Sequence, residues 1–244
     1  MLQEFGGSLA NTSDFSAYVR STVPDVLAQD APDAALLAWM DREEILFRTL
    51  EKHLLSAKLQ SLFHDGTIDP DPVMKIAMSA FQRRKSRAGS ALENHLEQVF
   101  IAHRVTYTRT PVTEGKLKPD FIFPGIECYR DKKFESSRLT MLASKTTSKD
   151  RWRQILNEAV RIPLKHLITL EPSISLNQTN EMQSERVQLV IPAALHDTYT
   201  AGQRTWLMDV SGFLALAQVR QTTGQVVSGI QPSAVPWPAP AAGT

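Results

Sequence analysis

The reading of the fold turns on two stretches, PDFIF (119–123) and LTMLASKTTSKDRWRQILNE (139–158). Phe121-Ile122-Phe123 is a short apolar run of strand type, and Asp120 stands where a loop would enter it. Leu139 to Thr146 reads as a second buried strand with Lys145 at its end. A helix is predicted from about Ser148 to Ile162, with Trp152, Ile155, Leu156 and Ala159 facing a core. On its flank Arg151, Gln154 and Glu158 follow i, i+3, i+7 spacing, so the carboxylate shares a side with an arginine.

Taken singly, each residue has an ordinary explanation. A Pro-Asp pair marks a turn, a lysine at a strand end keeps the edge soluble, and a helical glutamate faces water. Together they form a chemical set. Two carboxylates can hold a hard divalent cation such as Mg2+, which keeps several waters and needs few protein ligands. A lysine beside them can stabilise charge on a reacting phosphate or position a water, and neighbouring arginines can meet DNA. The set therefore predicts metal-dependent phosphodiester cleavage. Glu93, one turn before Leu96 on the preceding helix, is a further candidate ligand.

Working outward, the period changes along the chain. Leu36, Leu37, Met40, Leu46, Phe47, Leu50 and Leu54 predict a helix from about residue 32 to 61, opened by Asp30 and Pro32. Asp65-Gly66 and Asp69-Pro70-Asp71-Pro72 break the chain. A short helix and then a longer one from about Ser86 to His103 are predicted. Strands are expected near 105–110, 166–170 and 187–191, with helix at 176–185 and mostly helix from 193 to 217. This order predicts an α/β architecture, a central mixed sheet flanked by helices. Residues 1–29 read as a loosely attached extension, 30–219 as one domain, and the Pro-, Ala- and Gly-rich 220–244 as a disordered tail.

Composition narrows the classes. The chain has 244 residues, 42% of them hydrophobic, enough for a sizeable core. No apolar run reaches the roughly 18–20 residues of a membrane span, and the first residues lack a secretory layout. Cys128 is the sole cysteine, which excludes an internal disulfide and a cysteine-rich zinc site, and a cytoplasmic setting is expected. His53, His64, His95, His103, His166 and His196 have no zinc-ligand spacing. Net charge is only +1, but basic residues cluster at Arg83, Arg84, Lys85 and Arg87 and at Lys149, Arg151 and Arg153. Both clusters are candidate DNA contacts.

The quoted motifs, together with RRKSRAG and LENHLE within 83–97, KHLITL (165–170) and LVIPAALH (189–196), resemble the catalytic C-terminal domain of the EcoRII restriction endonucleases, over roughly residues 30–218. The resemblance implies the PD-(D/E)xK nuclease fold and a type II restriction enzyme cutting double-stranded DNA with Mg2+. It further implies a CCWGG site cleaved before the first C. It carries Asp120 and Lys145 over as catalytic, with Glu158 as a displaced acidic ligand and Glu93 as another. Position 143, where such folds often place that acid, is alanine. Lys149 and Tyr129 match positions important for cleavage, and Lys149, Asp150 and Arg151 match the segment that reads the C·G pairs. Trp39 and Arg42 are candidates for holding flipped bases, with ordinary packing the favoured reading. Ser148 stands where the family suggests cysteine.

A homodimer on DNA and a protecting methyltransferase are implied partners. The chain is too short for the family's N-terminal effector domain, so an excised catalytic domain or a naturally short enzyme is expected. Three alternatives stay open. One is a nuclease of this fold with another site or a repair role. Another is a catalytically inactive DNA-binding module. The third is a metal-free enzyme using Tyr129 as nucleophile.

Overall fold

The computed structural model describes residues 1–64 and 67–222. The residues divide into two compact units, one of residues 1–27 and 35–97, the other of 28–34 and 98 onward. The proline-rich tail predicted from 220 lies outside the described residues from 223 on, while 220–222 belong to the last helix.

The first unit is helical. It holds α1 (Leu2–Phe5), α2 (Thr12–Ser21), most of α3 (Pro32–Gln60), a two-residue ladder of β1 (Phe63–His64) and β2 (Thr67–Ile68), and α4 (Pro70–Ala102) up to residue 97. Two expectations are corrected here. The N-terminal residues are not loosely attached. Asn11 caps α2 by accepting from the Ser13 N–H, and Phe15 and Val19, one turn apart, are buried with Phe47 and Leu50. The predicted short and long helices are also one helix, α4. Pro70 and Pro72 sit in its first turn, where a missing N–H costs nothing.

Arg87 explains much of this unit. It is buried, donates from Nη1 to the Ala10 carbonyl at 2.9 Å, and lies 5.0 Å from the Phe15 ring centre and 4.8 Å from that of Phe47. Burial rules it out as a DNA contact and makes it an anchor for the N-terminal helices. Arg87→Ala is expected to cost about 2–4 kcal/mol, a charged hydrogen bond and two cation–π contacts partly offset by the cost of burying the guanidinium. Urea unfolding measures this; a loss below about 0.5 kcal/mol would mean that the contacts contribute nothing net.

The second unit is a five-stranded sheet with helices. Its strands are β3 (Thr108–Arg109), β4 (Phe121–Phe123), β5 (Thr140–Ser144), β6 (Lys165–Ile168) and β7 (Val187–Val190), in that spatial order. The β3–β4 and β4–β5 pairs are antiparallel, and the β5–β6 and β6–β7 pairs are parallel. Helix α5 (Ile126–Arg130) follows β4, α6 (Leu176–Ser184) crosses from β6 to β7, and α7 (Ala201–Arg204) and α8 (Val210–Thr222) close the chain.

Period-two alternation sorts the strand residues onto two faces. Ile122, Met141, Ala143, Leu167 and Leu189 pack with Trp152, Ile155, Met182 and Trp206. The other face carries Phe121 and Phe123, whose rings meet Phe100 edge-on at 5.1 Å; Phe213 packs on Phe123 at 5.4 Å and on His166 at 5.3 Å. The mixed sheet flanked by helices is the architecture expected. Among the described residues no helix is long and apolar enough to cross a membrane.

Candidate active site

Register brings the first two residues together. In the antiparallel β4–β5 pair Phe121 faces Leu142, so the entrance of β4 and the exit of β5 fall at one sheet edge. Asp120 precedes β4 and Lys145 follows β5. Asp120 Oδ2 accepts from the Ser144 backbone N–H at 2.7 Å and from Lys145 Nζ at 2.9 Å. Their side chains are only 17% and 15% exposed, so water screens the pair weakly. The Asp120 carbonyl accepts from Thr110, and Lys145 N–H donates to Ile168, which ties both backbones into the sheet.

Glu158 reaches the same place by a route different from the one expected. The segment Lys149–Asn157 is a 3-10 helix, not an α-helix. Glu158 ends it in an extended conformation (φ −78°, ψ 144°), and Ala159 adopts φ +47°. The i, i+3, i+7 argument for its placement therefore fails, because a 3-10 turn repeats every three residues and the helix stops before Glu158. The core-facing assignment of Trp152, Ile155 and Ala159 holds, and Arg151 and Gln154 are exposed.

The electrostatics of Glu158 show its neighbours. Burial pushes its carboxyl up to about 7; the Lys145 ammonium pulls it down, the Asp120 charge raises it further, and Lys165 pulls it down. Its Oε2 is buried and makes no hydrogen bond. A buried carboxylate oxygen without a donor, beside a second carboxylate, suits a hard divalent cation that keeps waters and takes a substrate phosphate. Among the described residues no three His, Cys, Asp or Glu side chains are grouped as a ready metal cage. Glu93 belongs to the helical unit and is half-buried.

Sequence reading missed several contributors. Lys165, buried at the start of β6, donates from Nζ to the carbonyls of Glu158 and Ala159, the latter at 2.7 Å. Burial lowers its ammonium to about 8 against the opposing pull of Glu158 and Glu114. Ser148 donates to Glu171 through its backbone N–H at 2.5 Å and its hydroxyl at 2.9 Å, pinning the start of the 3-10 segment. Ser144 Oγ is buried beside Lys145 without a partner. A buried lysine at a strand start and a buried serine leave no pattern in the sequence that would single them out.

Tyr129 is buried on α5 and donates its hydroxyl to Glu114 at 2.7 Å. Burial, then the Glu114 contact, pushes its phenol up to about 12. A phenol held protonated is a poor nucleophile, which argues against the metal-free reading.

The remaining candidates divide. Arg151 and Lys85 are exposed. Arg153 pairs with Glu181 and lies over the Trp152 ring at 4.7 Å. Arg84 donates to the buried Glu51 at 2.6 Å. Trp39 is buried against His95, ring centres 5.7 Å apart, and Arg42 donates to Thr22 at 3.0 Å, so both serve packing within the helical unit. The side chains of Lys149 and Asp150 lie outside the described set.

A mixed sheet carrying Asp and Lys at the facing ends of neighbouring strands, with helices packed on it, defines a fold of the restriction-endonuclease class. Two solved structures share it. Ecl18kI, determined metal-depleted with uncleaved, modified DNA, superposes with a TM-score of 0.77 at 19% identity, covering 91% of this chain and 82% of that one. The PspGI restriction endonuclease, in complex with substrate DNA, gives 0.73 at 13% identity, covering 88% and 94%. Residues 47–214 match the family model described as EcoRII C terminal, and the chain belongs to that family. It is 44% identical over 186 residues to the type II restriction enzyme EcoRII of Escherichia coli, a match covering 75% of this chain and 45% of that enzyme. The type II restriction enzyme SsoII of Shigella sonnei is 30% identical over 135 residues, half of this chain and 42% of the enzyme. The matches thus span a little under half the length of these relatives.

Proposed function

We propose that the chain is a type II restriction endonuclease hydrolysing double-stranded DNA with Mg2+, at CCWGG. What supports the reading is the Asp120–Lys145 pair at one sheet edge, with the donor-less Glu158 carboxylate within electrostatic reach of both. Membership of the EcoRII C-terminal family supports it.

In this reading Asp120 and Glu158 hold the cation. The cation, when bound, supplies Lewis-acid charge at the scissile phosphate. Lys145 lies 2.9 Å from Asp120 and places an ammonium where the phosphoryl oxygens gain negative charge as water attacks and the P–O bond to the leaving group breaks. Tyr129 supports the segment after Glu158, its hydroxyl accepting from the Arg161 N–H and donating to Glu114. The Lys149, Asp150 and Arg151 segment reads the C·G pairs, because arginine and lysine donate to guanine and aspartate accepts from cytosine. Arg153 and Lys85 add phosphate contacts.

A two-fold symmetric target cut on both strands calls for a homodimer, one active site per strand. A DNA methyltransferase of the same specificity, acting in the cytoplasm with this chain, would protect the host's own sites.

Mapping cut ends on a sequenced plasmid, with Mg2+ and with EDTA, tests this reading. Discrete cuts at CCWGG only with metal are expected; cleavage that survives EDTA, or none at all, overturns it. Arg151→Ala is expected to weaken discrimination at one G·C pair by about 1–3 kcal/mol. Equal weakening on all sequences, measured by competition binding, would make Arg151 a phosphate contact instead.

A further inference from the structure

Lys165 is a cation buried inside the sheet unit, with 4% of its surface exposed. It opens β6, the strand parallel to β5, and its backbone N–H is held by the Arg186 carbonyl at 3.0 Å. From this fixed base its Nζ donates to two successive carbonyls, those of Glu158 and Ala159. The conformation of those residues makes this possible. Glu158 is extended and Ala159 left-handed, an unfavourable region for a residue with a Cβ. Something must hold that bend.

The far side of the bend is also fixed. Arg161 donates to the carbonyls of Tyr129, Asp131 and Phe134, and Ile162 N–H bonds back to the Ala159 carbonyl. With its carbonyl turned to Lys165, Glu158 keeps its carboxylate within electrostatic reach of Lys145, Asp120 and Lys165.

We infer that Lys165 is a positioning residue: by clasping the Glu158 and Ala159 carbonyls it sets the Glu158 carboxylate opposite Asp120, and so supplies the acidic ligand that β5 lacks at Ala143. The assignment rests on the metal-dependent reading of the site proposed above. It explains how a carboxylate beyond the end of a 3-10 helix substitutes for one on the strand. The Lys165 ammonium is engaged by the Glu158 and Ala159 carbonyls. It acts through the backbone, as outer partners commonly orient metal ligands.

The experiment uses the full chain as wild type, Lys165→Met and Lys165→Gln. The methionine keeps the stem and removes every donor; the glutamine keeps one polar reach if the methionine variant does not fold. Folding is checked by circular dichroism. Mn2+ binding is read by electron paramagnetic resonance, DNA binding by gel shift in EDTA, and single-turnover cleavage across a Mg2+ titration. The expected result is about 10–100-fold weaker Mn2+ binding, a matching rise in the Mg2+ needed for half-maximal cleavage, and unchanged DNA binding in EDTA. A folded variant with wild-type Mn2+ affinity overturns the assignment, whatever its cleavage rate. Wild type that binds Mn2+ but cuts no DNA would sink the nuclease reading while the affinity comparison still decides Lys165. Wild type that binds no Mn2+ overturns both.

Discussion

Asp120→Asn is expected to lower single-turnover DNA cleavage by about 10³-fold or more, equivalent to about 4 kcal/mol of transition-state stabilisation. The protein should remain folded. Asparagine is the informative replacement because Asp120 Oδ2 does two jobs. It accepts the Ser144 N–H at 2.7 Å, which locks the β4 entrance to the β5 exit, and it meets Lys145 Nζ at 2.9 Å. The asparagine carbonyl preserves the first contact and removes the charge from the second. Cation binding and the arrangement of Lys145 then fail while the sheet edge survives. Alanine would also leave the Ser144 N–H without its acceptor, adding a loss of about 1–3 kcal/mol in stability. DNA binding in EDTA should be equal or tighter in Asp120→Asn, since one negative charge facing phosphate is gone. The check combines single-turnover cleavage, gel shift and urea unfolding. Cleavage within tenfold of wild type would remove Asp120 from the chemistry.

The Asp120–Lys145 contact was legible because strand period is short and strict. Phe121 to Phe123 is strand as predicted, and β5 (Thr140–Ser144) falls inside the predicted 139–146 run. Once the two are antiparallel neighbours, a residue before one and a residue after the other must share an edge. Glu158 lies within electrostatic reach of Asp120 and Lys145, but the helical spacing from which its placement was predicted fails. Trp152 and Ile155, three apart, fit a 3-10 turn as well as an α-helix, so apolar spacing alone could not distinguish them. The turn that matters, Glu158 to Ala159, depends on a lysine from another strand, and such tertiary contacts leave no local signal. The basic run 83–87 misled for a related reason. Arg87 and Arg84 look solvent-bound in sequence, yet one is buried on two phenyl rings and the other serves the buried Glu51. A guanidinium is weakly hydrated and planar, so it enters a helical core where an ammonium would not.

Glu158→Gln is expected to stabilise the metal-free protein at pH 8 and yet cut cleavage by about 10²–10³-fold, the scale of losing a key charge in a water-poor site. The two effects share one cause. Burial raises the Glu158 carboxyl from 4.5 in the unfolded chain to about 7, with Lys145 and Lys165 opposing and Asp120 reinforcing. Between these values the folded protein binds a proton that the unfolded chain has released. Stability from this group is therefore complete below pH 4.5 and is lost as pH rises through 7. Glutamine carries no charge at any pH, so the variant should match wild type near pH 4.5 and exceed it at pH 8 by about 1–2 kcal/mol, the shift being discounted because water partly screens the carboxyl. Mg2+ reverses the balance, because a bound cation favours the ionised carboxylate. Wild type should gain thermal stability from Mg2+ most strongly above pH 7, and Glu158→Gln should gain little. Melting curves at pH 5 and pH 8, each with and without Mg2+, check both signs. A glutamine variant no more stable than wild type at pH 8 would mean that Glu158 is solvated rather than buried. One that kept full activity would mean that the second carboxylate of the site lies elsewhere.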